Sequence, residues 1–250
     1  MSHLLTDTGI IAGRYVRQTL ASRLGVLFGL LQPLLFLVFF GPLLRDIDLG
    51  GAGDSWQTLV PGLLVQLGLF SSAFAGFTLL IEKQHGVVER LRVTPVSRLA
   101  LLLGRLVRDV LQLFAQSLLL VLVGVAFGLR SPVAGVAIGF VLVGVLAASL
   151  ASLSYALAMR VTSPQEFAPV INSLNLPAVL LSGILLPMAL APDWLDAVSH
   201  FVPFRYVVDA VRDAFMGHYG GTLALGALVA LALAAASLGL GTRVFRKAGA

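Results

Sequence analysis

The 250-residue sequence contains no cysteine, which excludes disulfides, thiolate catalysis and cysteine-bound zinc. Charge is scarce: 12% of residues are Asp, Glu, Lys or Arg, where a soluble domain carries about 25%. No Gly-Lys pair occurs, so there is no phosphate loop of the Gly-x-x-x-x-Gly-Lys-Ser/Thr kind, and no His-Glu-x-x-His zinc motif is present. The four histidines, His3, His85, His200 and His218, are scattered. Neither a catalytic group nor a metal site is expected. A cleavable leader is not expected either, because the first apolar run starts only at Leu24 and ends in Arg45-Asp46-Ile47-Asp48 without a small-residue cleavage site.

What fills the sequence is apolar. Hydrophobic residues make up 58% and the mean hydropathy is +0.96, so a water-soluble protein of this size could not cover its surface with polar groups. An integral membrane protein follows. A net charge of +5 does not indicate nucleic acid, because the basic residues flank apolar segments and form no stripe. A bilayer core needs about 20 apolar residues per helix. Six stretches reach that length: 24–44, 58–81, 110–129, 133–159, 169–190 and 222–241. None of them, so bounded, holds an Asp, Glu, Lys, Arg or His. Proton-coupled carriers normally place such groups at the midplane despite their cost, so an energy source outside the chain is expected. The predicted fold is all-α, one transmembrane domain over 1–250 with six spans, the third and fourth joined in a tight hairpin.

Orientation follows from Lys and Arg. If the N-terminus, 82–109, 160–168 and the C-terminal tail share a side, that side holds thirteen of the seventeen basic residues. The positive-inside rule then puts both termini in the cytoplasm, with the inner (plasma) membrane as the expected location. Residues 3–22 read as an interfacial amphipathic helix: Leu4, Leu5, Ile11, Tyr15 and Val16 fall on one arc at 100° per residue, and Asp7, Arg14, Arg17 and Gln18 on the other.

Uncharged polar residues inside the spans are candidates for a translocation path or a subunit interface. They are Gln66, Ser71 and Ser72 in the second stretch, and Asn172, Asn175 and Ser182 in the fifth, which Pro177 and Pro187 interrupt. The plainer reading of any one of them is helix-packing glue, at about 0.6–2 kcal/mol per bond. Small-residue pairs such as Gly68/Ser72 and Gly135/Gly139 read as close packing. In the long outer segment 191–221, Trp194 suits the headgroup level. Arg205, Asp209, Arg212 and Asp213 share a helical face opposite Val207, Val211 and Phe215. Trp194, Arg205, Asp209 and Arg212 are candidates for an outer gate, with a self-paired surface helix as the alternative.

The most distinctive segment is Glu82-Lys83-Gln84-His85-Gly86-Val87-Val88-Glu89-Arg90-Leu91-Arg92-Val93-Thr94-Pro95-Val96-Ser97-Arg98, followed by Leu99-Ala100-Leu101-Leu102-Leu103-Gly104-Arg105. Proline restricts Thr94 and ends a short charged helix. On one helix, Glu82 and Glu89, seven apart, would face the same way toward a partner. This segment closely resembles the permeases of the ABC-2 type, the drug-resistance permeases of the daunorubicin-exporter kind above all. The resemblance continues in Leu181-Ser182-Gly183-Ile184-Leu185-Leu186-Pro187, in Trp194-Leu195 and in the run from Pro203 to Arg212. It departs at Pro203-Phe204-Arg205, where relatives more often carry Asn-Pro followed by an uncharged residue.

The resemblance implies a short coupling helix between spans two and three, with Glu82, Gly86, Glu89, Arg90, Thr94 and Pro95 as the coupling region, and short outer helices before span six. It implies two copies of a separate cytoplasmic ABC ATPase, which would bind ATP and Mg, and a second permease, identical or related. The chain itself would hold no cofactor and would meet membrane lipid. The expected function is the permease subunit of an ATP-driven exporter moving a hydrophobic or amphiphilic compound outward: a drug or antibiotic, a lipid or a glycan-lipid. Two alternatives stay open. A stand-alone secondary transporter or channel would be favoured by an acidic residue inside a span. An intramembrane lipid-modifying enzyme would need a carboxylate or histidine cluster, and Glu82, Glu89, Asp109 and Glu166 show no ligand spacing.

Overall fold

The computed structural model describes residues 9, 11, 13, 23–44, 55–86, 98–184 and 188–247. Among them the chain is entirely helical, without strands. The helices are α1 (Arg23–Leu44), α2 (Ser55–Ala73), α3 (Ala75–Gln84), α4 (Arg98–Phe127), α5 (Val133–Arg160), α6 (Pro164–Leu181), α7 (Asp193–Ser199), α8 (Pro203–Met216) and α9 (Gly221–Lys247), with one 3-10 turn at Met188–Leu190. Four helical stretches among the described residues are long and apolar enough to cross a membrane: Ser55–Gln84, Ala100–Phe127, Val133–Arg160 and Gly221–Val244.

α5 is the hub. It packs against α2, α3, α4, α8 and α9, and its start and end lie within a residue of the expected fourth stretch. Between helices in lipid there is no hydrophobic drive, because the tails are as apolar as leucine, so association depends on close packing and hydrogen bonds. Glycines supply the closeness. A Cβ on Gly135 would stand 1.9 Å from the Ala214 carbonyl oxygen, and one on Gly139 would stand 2.6 Å from the Phe215 ring. This small-residue pair therefore seats α8 against α5. Gly68 faces Val143 in the same manner. α8 is short but central: Val207, Val208, Ala210, Val211, Ala214 and Phe215 are all fully buried. It ends where Gly217 adopts φ +80 and donates to the Ala214 carbonyl, a left-handed cap that glycine takes without steric cost.

Three expected boundaries are corrected. The second stretch is not one helix. α2 and α3 meet at Phe74 (φ −89, ψ 0), although no proline stands there. The Ser154 hydroxyl of α5 enters the joint, donating to the Ala73 carbonyl and accepting from Gly76 N at 2.9 Å. Backbone groups that the break frees are thus satisfied from a neighbouring helix, as a membrane interior requires. The fifth stretch starts earlier and stops sooner. Ser163 caps α6, accepting from Glu166 N at 3.3 Å with Pro164 behind it, the residue types preferred there. The helix closes at Leu181, and Gly183 turns the chain at φ +73.

The third helix starts before the expected 110, since α4 already begins at Arg98. The apolar Ala100–Phe127 span therefore takes in Arg105, Arg108 and Asp109. The absence of charge from the spans holds only for the narrower limits. The helix can continue through these residues because each side chain finds a partner, as described next.

Candidate functional site

Two neighbouring helices clamp the last turn of α3. The Glu82 carboxylate receives a hydrogen bond from Arg105 Nη2 of α4 at 2.6 Å, with both side chains largely buried. Lys83 Nζ reaches the other way, to the Met159 and Val161 carbonyls at 3.5 and 3.4 Å. Those oxygens close the C-terminal end of α5, where a cation complements the helix dipole. One turn into the membrane, Arg108 pairs with Asp109 at 2.9 Å, and the Tyr155 hydroxyl of α5 donates to the other Asp109 oxygen. α3, α4 and α5 are thus tied by a polar network at the end where α3 leads into 87–97. Removing one member of such a buried pair commonly costs about 3–5 kcal/mol.

This geometry revises the reading of Glu82 and Glu89 on one helix. α3 ends at Gln84, His85 N and Gly86 N close it onto Ile81 and Lys83, and Gly86 takes φ +68. The Glu82 carboxylate turns inward to Arg105, not outward toward a partner. Glu89, Arg90, Thr94 and Pro95 lie outside the described residues, as does the 3–22 segment apart from 9, 11 and 13. Ile11 is buried against Ala100 and Leu101 at the start of α4.

The candidates for the path separate. Gln66 and Ser72 are buried in α2, and Ser71 is half-buried. Gln66 Oε1 has no hydrogen-bond partner among the described residues. Asn172 is exposed, whereas Ser182 is buried and donates to the Val179 carbonyl at 3.1 Å. Asn175 alone of the six lines a cavity of about 410 Å³ bounded by α2, α5 and α6, with Phe204 of α8 completing the wall.

At the other end, Trp194 is exposed. Arg205 bridges to α7, holding the Asp196 carboxylate at 2.7 Å and donating to the Asp196 carbonyl at 3.0 Å and to Ser199 Oγ. Asp209 lies 3.8 Å from Arg205 Nε. Burial raises the Asp209 carboxyl above its usual range, against the pull of Arg212 and Arg205. Arg212 departs from the expected surface face. It is 5% exposed, and it donates Nε to the Thr58 carbonyl at 3.2 Å and Nη2 to the Ile184 carbonyl at 3.0 Å. Burial lowers its pKa to about 10, which leaves it charged. One guanidinium therefore ties α8 to the first turn of α2 and to the segment after α6. Gly62 makes room for this, since a Cβ there would stand 2.0 Å from the Ile184 oxygen.

Residues 6–216 match the ABC-2 type transporter family. The transport permease ycf38 of Cyanophora paradoxa is 29% identical over 189 residues, 74% of this chain and 65% of that relative. The chain therefore spans just under two thirds of that relative's length. The daunorubicin resistance ABC transporter permease protein DrrB1 of Streptomyces coeruleorubidus is 25% identical over 192 residues, 76% of this chain and 68% of the relative. The doxorubicin resistance ABC transporter permease protein DrrC of Mycobacterium tuberculosis is 23% identical over 224 residues, 87% of this chain and 78% of the relative.

Proposed function

From the premise that the chain belongs to the ABC-2 type transporter family, a family of transport permeases, we propose that it is the membrane subunit of an ATP-driven exporter. Its cargo is a hydrophobic or amphiphilic compound, moved from the cytoplasm or inner leaflet outward. The chain crosses the inner membrane six times with both termini cytoplasmic. Two permeases, identical or related, work with two copies of a separate ATPase that binds ATP and Mg. Relatives named for daunorubicin and doxorubicin resistance support a drug-like cargo.

The observation that carries this reading is the clamp on α3. The segment that would meet the ATPase, 87–97, follows directly on a helix fixed to α4 through Glu82–Arg105 and to α5 through Lys83. A push received there reaches two spans at once. The path itself we place on α2 and α6, whose polar side chains and internal prolines suit a cavity or a subunit contact.

The test is export from proteoliposomes holding the permease with its ATPase. Glu89→Arg should lower substrate-stimulated hydrolysis and export together, with membrane insertion unchanged. Truncating a buried interface charge commonly costs about 2–5 kcal/mol. Undiminished export by that variant removes Glu89 from the contact, and export without any ATPase overturns the assignment.

Asp109 supports a second reading. It is an acidic residue inside an apolar helix, the feature that a proton-coupled carrier would use. Its engagement by Arg108 and Tyr155 argues for a fixed structural charge. Transport driven by a pH gradient alone, and abolished by Asp109→Asn, would establish the carrier.

A further inference from the structure

The cavity between α2, α5 and α6 has a lining that selects one kind of molecule. Leu69, Ala73, Leu150 and Leu174 are typical of its wall. Two polar side chains interrupt it, Ser154 and Asn175, and no ionisable residue lines it. The Ser154 hydroxyl is already committed to the α2–α3 joint. Asn175 is not so committed. It is 6% exposed, and its Nδ2 donor has no hydrogen-bond partner among the described residues. A buried donor without a partner costs about 1–3 kcal/mol, and an occupant with an acceptor oxygen recovers it once the Asn175 amide turns toward the cavity.

Depth narrows the occupant further. Asn175 lies eleven residues from Pro164, the first residue of α6, which is about 16 Å along a helix. Arg160 and Glu166, both exposed, mark the surface end of this helix pair. Asn175 is therefore well inside a hydrocarbon layer of about 30 Å. A resident phospholipid keeps its ester carbonyls at headgroup level and does not present an acceptor at that depth. Leu174 and Leu153 line the cavity and are also exposed on the outer faces of α6 and α5, at 66% and 39%. Entry is thus from the bilayer, not from water. The volume of about 410 Å³ is at the small end of the range for drug-sized ligands.

We propose that this cavity binds a neutral, largely apolar molecule carrying a carbonyl- or hydroxyl-type oxygen within its apolar framework, and that Asn175 Nδ2 donates to that oxygen. The proposal rests on the export reading and specifies its cargo. Cations and zwitterions are excluded by the uncharged lining, and plain hydrocarbons bind more weakly because they leave the amide unpaired.

Benzophenone, a neutral diaryl ketone that photo-crosslinks, is a direct probe. The full chain in nanodiscs, without ATPase, is irradiated with it, and adducts are mapped by mass spectrometry. Adducts are expected on 150–157 and 170–178. As competitors, 9-fluorenone should act at about three- to tenfold lower concentration than fluorene, its counterpart without the oxygen, the span one net hydrogen bond allows. Asn175→Leu should erase that difference, and Ala178→Trp, which fills the cavity, should remove the adducts. Adducts equally frequent on Leu228 and Leu231 of α9, or a fluorenone preference that survives Asn175→Leu, would overturn the site. Equal competition by the two compounds on the unaltered chain would overturn it too, whether or not either variant is stable. Failure of ATP-driven export leaves this assay untouched, and failure here leaves the export reading standing.

Discussion

Arg212 illustrates what spacing along a helix can and cannot say. Its position beside Asp209 and Asp213 suggests a charged outer face, yet the side chain is buried and spends two donors on the Thr58 and Ile184 carbonyls. Those partners are 154 and 28 residues away in sequence, and periodicity carries no information about them. Asn175 was legible as a polar interruption of an apolar run. That it alone among the six candidates would reach the cavity was not, because the cavity wall comes from four helices. Hydrogen bonds to a charged donor contribute about 1.5–3 kcal/mol each. Arg212→Leu is therefore expected to destabilise the detergent-solubilised protein by about 2 kcal/mol or more, read as a lower thermal midpoint. Arg212→Lys should recover only part of the loss, because a compact ammonium lacks the guanidinium fork that spans two carbonyls. A midpoint unchanged in Arg212→Leu would remove this tie from the description.

Elements show the same division between near and distant causes. α5 was readable to within a residue because Pro132 precedes it, its interior is apolar throughout, and Arg160 closes it. The start of α4 was not legible because the charge-free window begins only at 110. The partners that let Arg105 and Asp109 enter the helix are Glu82 and Tyr155, on other elements. The joint between α2 and α3 was not readable at all, since the residue that stabilises it is Ser154, about eighty positions downstream. Ser154→Ala removes one hydroxyl but leaves Gly76 N and the Ala73 carbonyl unpaired. A cost of about 2 kcal/mol or more is expected from groups so stranded. Gly76→Val should be worse, because a Cβ there would stand 2.3 Å from the Ser154 carbonyl oxygen. Thermal midpoints that rank the unaltered protein above Ser154→Ala and Ser154→Ala above Gly76→Val would bear this out. The reverse order would not.

For the whole molecule, burial is uneven. Only 17% of the apolar window of α9 is buried within the chain, against 61% for α2–α3. Leu225, Leu228, Leu231 and Leu240 of α9 stand exposed, as do Leu111, Leu118, Leu119 and Leu122 of α4. Exposed apolar area on this scale suits lipid or another subunit, not water. The membrane class was legible from composition alone for that reason. Which helices would form the centre was not, because nearly every helix is apolar. Topology is open to direct test, because the chain has no cysteine. Single cysteines at Ser97 and Ser199 are expected to behave oppositely toward a membrane-impermeant maleimide in intact cells. Ser199 is buried, so the outer label is read from a cysteine at the exposed position His200 beside it. Labelling at Ser97 in sealed cells would invert the arrangement.

The joint at Phe74 also sets a mechanical scale. α3 has ten residues, so as a rigid rod it is about 15 Å long, and a tilt of about ten degrees about the joint would sweep its far end through roughly 3 Å. Glu82 lies nearer the joint than the far end and would move by roughly 2 Å, enough when directed away from α4 to stretch its 2.6 Å contact with Arg105 beyond hydrogen-bond distance, while the Ala73 end stays where Ser154 holds it. The lever therefore has little compliance: small forces are passed to α4 undiminished, and larger ones part the ion pair. In such a lever the pair would act as a shear pin, and the load at which it yields would limit how far the Gln84 end of α3 can move before α4 stops following.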